Sequence, residues 1–246
     1  MFSRSIIRIT LAGFALVALT IFGSSVAWGQ ASGANFTAAV DNTVCSVNSA
    51  TGAFLGSPFT QAEGGALAIQ IKLPNSSPGL LVTPSLVTGL YSNTLSTGSG
   101  MDSTQHQTAA IVVQVTDTVN GQTVDLTPDN TCVVTNTQGT QCGTIYDERF
   151  QALNTVIGSD ESVQLILSTL SAHSFNFTRG QVPGGIHTVK MNWWFGCDDG
   201  TGTLRTSACK STFAPNTAAA CAGPGTLTVT QVQDFRHSTQ IQTTGP

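Results

Sequence analysis

A period of two runs through this chain. Residues 66–73 read Ala-Leu-Ala-Ile-Gln-Ile-Lys-Leu, which puts Leu67, Ile69, Ile71 and Leu73 on one side of an extended strand. Ala109, Ile111, Val113 and Val115 share a face in the same way, as do His187, Val189, Met191, Trp193 and Phe195, and residues 226–232 alternate again. Successive side chains of a strand point to opposite faces, so alternation with β-branched enrichment marks a strand buried on one side. Shorter candidates are 36–40, 80–88, 124–126, 132–135, 145–153 and 175–178. Asn120-Gly121 sits between two of these runs, and both residues tolerate the positive φ that a two-residue hairpin turn requires. Gly64-Gly65, Pro74-Asn75, Pro128-Asp129 and Pro183-Gly184-Gly185 punctuate the rest.

One segment departs from this period. Ser159-Asp160-Glu161 precedes Val163, Ile166, Leu167 and Leu170, which fall at helical spacing. Ser159 suits a cap and the two acids suit a helix N-terminus, so the pattern predicts one short helix. Many short strands with Gly and Pro turns otherwise place the chain in the all-β class. The expected architecture is an antiparallel β-sandwich of jelly-roll or immunoglobulin-like character. The Cys-Trp-Cys spacing of a true immunoglobulin domain is not evident.

The ends and the cysteines bound the environment. Arg4 and Arg8 precede an apolar run over residues 11–22, and Gly23, Ser24, Ser25, Val26 and Ala27 follow. This order of charge, grease and small residues predicts a signal peptide over residues 1–31, cleaved after Ala27 or Ala31. The apolar run is short for a membrane anchor, which needs about 20 residues. No later segment is long and apolar enough to cross, so no membrane association is expected after cleavage. Residues 32–246 read as one domain, large enough to bury its own core. Cys45, Cys132, Cys142, Cys197, Cys209 and Cys221 all lie in it, and an even count in an exported chain predicts three disulfides. Cys132 with Cys142 is the expected local bridge. Two of Cys197, Cys209 and Cys221 are expected to pair, with the third reaching back to Cys45. A secreted, periplasmic or cell-surface location follows.

Leu167-Ser-Thr-Leu-Ser-Ala-His-Ser-Phe-Asn-Phe177, then Gly185-Ile-His-Thr-Val189, resembles a recurring stretch in secreted bacterial β-sandwich proteins of unknown function. Thr88-Gly-Leu-Tyr91 is similar too. The resemblance spans the middle half of the chain. It implies the sandwich architecture and no activity.

Charge excludes one class of partner. Only 9% of the chain is charged, and beyond the signal seven Lys and Arg face thirteen Asp and Glu, with no basic stripe. A nucleic-acid partner is therefore not expected. Catalytic signatures are also sparse. There is no Gly-x-Ser-x-Gly elbow, and paired cysteines leave no thiol nucleophile. His106, His173, His187 and His237 form no ligand-spaced pair, and no Cys-x-x-Cys is present, so neither cofactor nor metal is expected. His187 and His173 together suit a general base or a ligand, whereas the plainer reading of His187 is a core-edge side chain bonded to nearby backbone. Glu63, Glu148 and Glu161 are the only glutamates. Asp147 or Glu148 with Asp160 is the one conceivable glycosidase pair, although Asp147-Glu148-Arg149 reads as a strand with its own ion partner. Asp198 and Asp199 lie in an acidic, Gly-rich run that lacks the alternating acids of a calcium loop.

Trp194 is the most specific surface candidate. Trp193 and Trp194 are adjacent on a strand and so face opposite ways. Trp193 joins Val189, Met191 and Phe195 in the core, and Trp194 joins Lys190 and Asn192 on a polar face. An exposed tryptophan there would stack on a sugar while Lys190 and Asn192 bind hydroxyls. The plainer reading is a Trp194 covered by the loop of residues 197–225 or by an edge element, as singled-out aromatics most often serve packing. The readings in competition are thus an exported, non-catalytic, structural or adhesive protein, a carbohydrate-binding module, and a secreted hydrolase with an unusual site. The expected partner is a carbohydrate or another surface protein.

Overall fold

The computed structural model describes residues 36–47, 54–55, 64–75, 78–98, 102–156, 158–210 and 214–232. The expected signal segment, Glu63 and His237 lie outside these residues. In chain order the strands are β1 (Phe36–Asp41), β2 (Ser46–Val47), β3 (Phe54–Leu55), β4 (Gly64–Leu73), β5 (Gly79–Thr97), β6 (Asp102–Val119) and β7 (Gln122–Asp125). Then come β8 (Thr131–Val134), β9 (Thr140–Val156), β10 (Ser162–Ser174), β11 (Phe177–Arg179), β12 (Gly185–Asp198), β13 (Leu204–Arg205) and β14 (Thr217–Val232). A 3-10 turn at Thr206–Ala208 is the only helical element among the described residues.

Two packed sheets make an all-β sandwich. The first runs β1-β14-β5-β10, with β11 continuing beside β5. The second is built on β4-β12-β6-β9, with β7, β8 and β13 extending it. The pairings are antiparallel except for the short β13–β8 contact. Asn120 and Gly121 carry φ of 52° and 76° in the β6–β7 hairpin, the turn that the Asn-Gly pair predicts.

The alternating residues meet between the sheets. Ile69 and Ile71 of β4, Ile111 and Val113 of β6, and Met191 and Trp193 of β12 pack against Leu80, Leu86 and Leu227 of the opposite sheet. Farther along the sandwich the interior turns polar. Thr88 donates to Asp147 at 2.6 Å, Ser92 bonds Gln151, and Thr155 bonds Ser96 at 3.1 Å, so three rungs join β5 to β9. The Tyr146 hydroxyl sits at the junction, accepting from the Leu86 amide at 3.0 Å and bonding the His173 carbonyl.

The expected helix after Ser159 is a strand. β10 pairs with β5 over thirteen residues, from Ser162 opposite Thr97 to Ser174 opposite Ser85. It is an edge strand with little cover on either face, and Ile166, Leu167 and Leu170 stay 41–47% exposed. Its apolar residues had no single buried face to alternate towards, so period two was lost. Pairing with β5 then outweighed local helical spacing.

All three disulfides form as expected. Cys132–Cys142 closes β8 on β9, Cys197–Cys209 ties β12 to the 3-10 turn, and Cys45–Cys221 spans 176 residues to hold the chain before β2 against β14. Cys45 and Cys221 pack with Tyr91 and Ala219 in a small cluster on the outer face of the first sheet. Among the described residues no helix is long and apolar enough to cross a membrane.

Candidate functional site

β12 is an interior strand of the second sheet, with β4 along one edge and β6 along the other. Its register places Trp194 between Gly64 of β4 and Val112 of β6, Asn192 between Ala66 and Gln114, and Lys190 between Ala68 and Thr116. These three rows form the outer face of the sheet. Trp193 points inward, 1% exposed, as its parity predicts.

Trp194 does not lie open on that face. It is 5% exposed and packs in a second small cluster with Val112, Val133 and Leu204. β8 and β13 fold over the sheet here, and Gly196 is what lets them. A β-carbon at Gly196 would fall 2.9 Å from both Val133 and Leu204. Of the two readings of Trp194 the covered one holds and the exposed stacking platform is corrected: its indole N–H donates to Gln138 Oε1 at 3.4 Å. The covering strands come from residues 133 and 204, whose approach no local pattern around Trp194 encodes.

The residues expected beside Trp194 nevertheless meet in one place. Lys190, Asn192 and the rim of Trp194 line a cavity of about 430 Å³, within the range of small-ligand sites. Gln114, Gln138 and Gln141 supply further walls, and Gly64, Gly65 and Ala66 form the β4 side. Gly64 has φ +142°, and a β-carbon there would strike the Trp193 carbonyl. The absence of side chains at Gly64 and Gly65 allows β4 to close on β12, since a β-carbon at Gly65 would strike the Trp193 ring. Gln141 donates to the Gln138 carbonyl at 2.7 Å, which shapes the β8–β9 turn. The side chains of Lys190 and Asn192 make no hydrogen bond or ion pair with other described residues. The lining thus offers carboxamides, which donate and accept, and one ammonium, which donates. The three glutamines were not among the expected site residues. Gln114 shares the outer face of β6 by parity, whereas the only signal for Gln138 and Gln141 is a Gln-rich turn next to a predicted disulfide.

The histidines do not converge. His187 is fully buried, its Nδ1 2.8 Å from Asp117 Oδ2 and its Nε2 2.8 Å from the Pro183 carbonyl. Arg179 completes the cluster on Asp117. This is the plainer reading of His187, extended by a buried carboxylate, and it pins the approach to β12 against β6 and β11. His173 belongs to a different cluster, with Ser171 at 2.9 Å and Asp147 at 3.3 Å. Both contact the same Nε2. A serine triad needs its acid and nucleophile on opposite ring nitrogens, so no relay is formed.

The carboxylates disperse as well. Asp147 is held by His173 and Thr88, and the expected ion pair with Arg149 is not made; Arg149 Nη1 is instead buried without a partner. Burial pushes the Arg149 guanidinium down from its usual value, with the charge of Asp147 opposing. Asp160 precedes the opposite end of β10 from Ser171 and His173. At about 3.3 Å per residue that is roughly 36–43 Å along the chain, too far for a glycosidase pair. Asp198 and Asp199 close their own loop. Asp198 Oδ1 accepts from the amides of Gly200 and Gly202 at 2.9 Å, and Asp199 accepts from Thr201 and Arg205. His106 lies 3.0 Å from Asp198. Among the described residues, no three His, Cys, Asp or Glu side chains gather as a metal site.

No protein-family model matches the chain, and no curated protein matches it.

Proposed function

We propose that this is an exported, non-catalytic binding protein with an adhesive role, and that the cavity beside Trp194 takes a carbohydrate. The observation that carries the reading is the lining itself. Asn192, Gln114, Gln138 and Gln141 present planar amides on three strands and one turn around a space of ligand size. Amides that donate and accept side by side match adjacent sugar hydroxyls, which do the same. Trp194 acts here as the packed floor that fixes β8 over the sheet, rather than as a stacking surface. The three disulfides support an oxidising compartment, and the charged, apolar and small-residue start of the chain supports secretion to the periplasm, the cell surface or beyond.

A glycan array probed with the oxidised protein tests this. Binding to a defined saccharide set is expected, with loss of at least tenfold in Asn192→Ala at an unchanged melting temperature. An array without signal, or one on which the variant binds as well as the parent, contradicts it.

A further inference from the structure

We infer that the saccharide taken by this cavity carries a carboxylate, and that Lys190 is the group that recognises it. The inference rests on the carbohydrate reading of the same site and adds the ligand's charge.

Among the described residues, Lys190 is the one charged side chain in the cavity lining. It stands out against a chain whose acids outnumber its bases beyond the signal by thirteen to seven. Lys190 is an exposed side chain on the outer face of the sheet. Here its cross-strand neighbours are Ala68 and Thr116, neither of which is charged. The nearest carboxylate along that row is Asp125, which pairs with Thr116 on the far side, two strand spacings or about 10 Å away. Asp125 is also engaged on both of its oxygens. Its Oδ2 accepts from Gln114, and its Oδ1 accepts from the Thr127 amide at 2.9 Å and the Thr127 hydroxyl at 2.7 Å. Gln114 is thereby held in place as a wall of the cavity, while the ammonium of Lys190 is left for a ligand. A neutral sugar would meet this site with the amides alone. A uronic acid would add a charge-assisted hydrogen bond, the stronger kind.

Calorimetric titration of the oxidised protein with methyl glucuronide and with methyl glucoside separates the possibilities, because the two differ at one carbon. The expected result is tighter binding of the glucuronide by about tenfold or more, weakening as salt is raised. Lys190→Gln is expected to bring the two ligands level. Equal affinities in the parent protein, unmoved by Lys190→Gln, would overturn the assignment of Lys190 and leave the carbohydrate reading standing. Failure of both sugars to bind would overturn the carbohydrate reading and this inference with it.

Discussion

Tyr146 of β9 holds the seam between the two sheets. Its hydroxyl takes the Leu86 amide and meets backbone carbonyls at Pro84 and His173. Burial pushes this phenol up to about 12, although the Leu86 hydrogen bond opposes the rise. The folded chain then keeps a proton that the unfolded chain loses near pH 10, so this contribution is intact below pH 10 and fades as pH climbs towards 12. Ultraviolet titration is expected to show one phenol ionising near 12. Tyr146→Phe is expected to cost about 1–3 kcal/mol in urea unfolding, since the Leu86 amide is left buried and unpaired. Asp199 works in the opposite sense. Hydrogen bonds from Thr201, then Arg205, hold its carboxyl well below the usual carboxylate range. That support is present above about pH 4 and is lost as pH falls through the lowered value, so the Thr201 amide should resist exchange until strongly acid conditions. Trp194 makes the third test. Because it is packed under Val133 and Leu204, Trp194→Ala is expected to destabilise the fold by about 3–5 kcal/mol. An exposed stacking residue would instead leave stability unchanged.

Among the elements, the strands that the sequence reveals are those with one buried face. β4, β6 and β12 each set their apolar residues on the core side, and each lies where the alternation of residues 66–73, 109–115 and 186–195 puts it. β10 was hidden because an edge strand exposed on both sides has no reason to alternate, and its Ser159-Asp-Glu start imitates a helix cap. The site was half legible for a related reason. Parity alone puts Lys190, Asn192 and Trp194 on one face. The cover over Trp194 and the walls from Gln138 and Gln141 depend on β8, β13 and the β8–β9 turn, brought in by tertiary packing and disulfides. Those bridges differ in what they close. In the chain-entropy model, losing Cys45–Cys221 costs about 5 kcal/mol and losing Cys132–Cys142 about 3, given separations of 176 and 10 residues. Paired Cys→Ala variants compared in denaturant are expected to keep that order.

At the scale of the molecule, the sandwich divides its labour by face. The space between the sheets holds the core at one end and hydroxyl and amide rungs at the other. Each outer face carries one small cluster with a disulfide beside it. On the second sheet that outer layer does more than cover the strands, since the β8–β9 turn raises Gln138 and Gln141 into a wall and so makes a cavity out of a flat face. On the proposed reading recognition is a product of the added layer, whereas His187 and His173 hold Asp117 and Asp147 between strands. The most direct measurement is an amide-resolved nuclear magnetic resonance titration of the oxidised protein with methyl glucuronide. The account predicts shifts confined to the side-chain amides of Gln114, Gln138, Gln141 and Asn192 and to the backbone around Lys190. Shifts centred on the β10 edge or on the His173 cluster, or none at any of these amides, would contradict it.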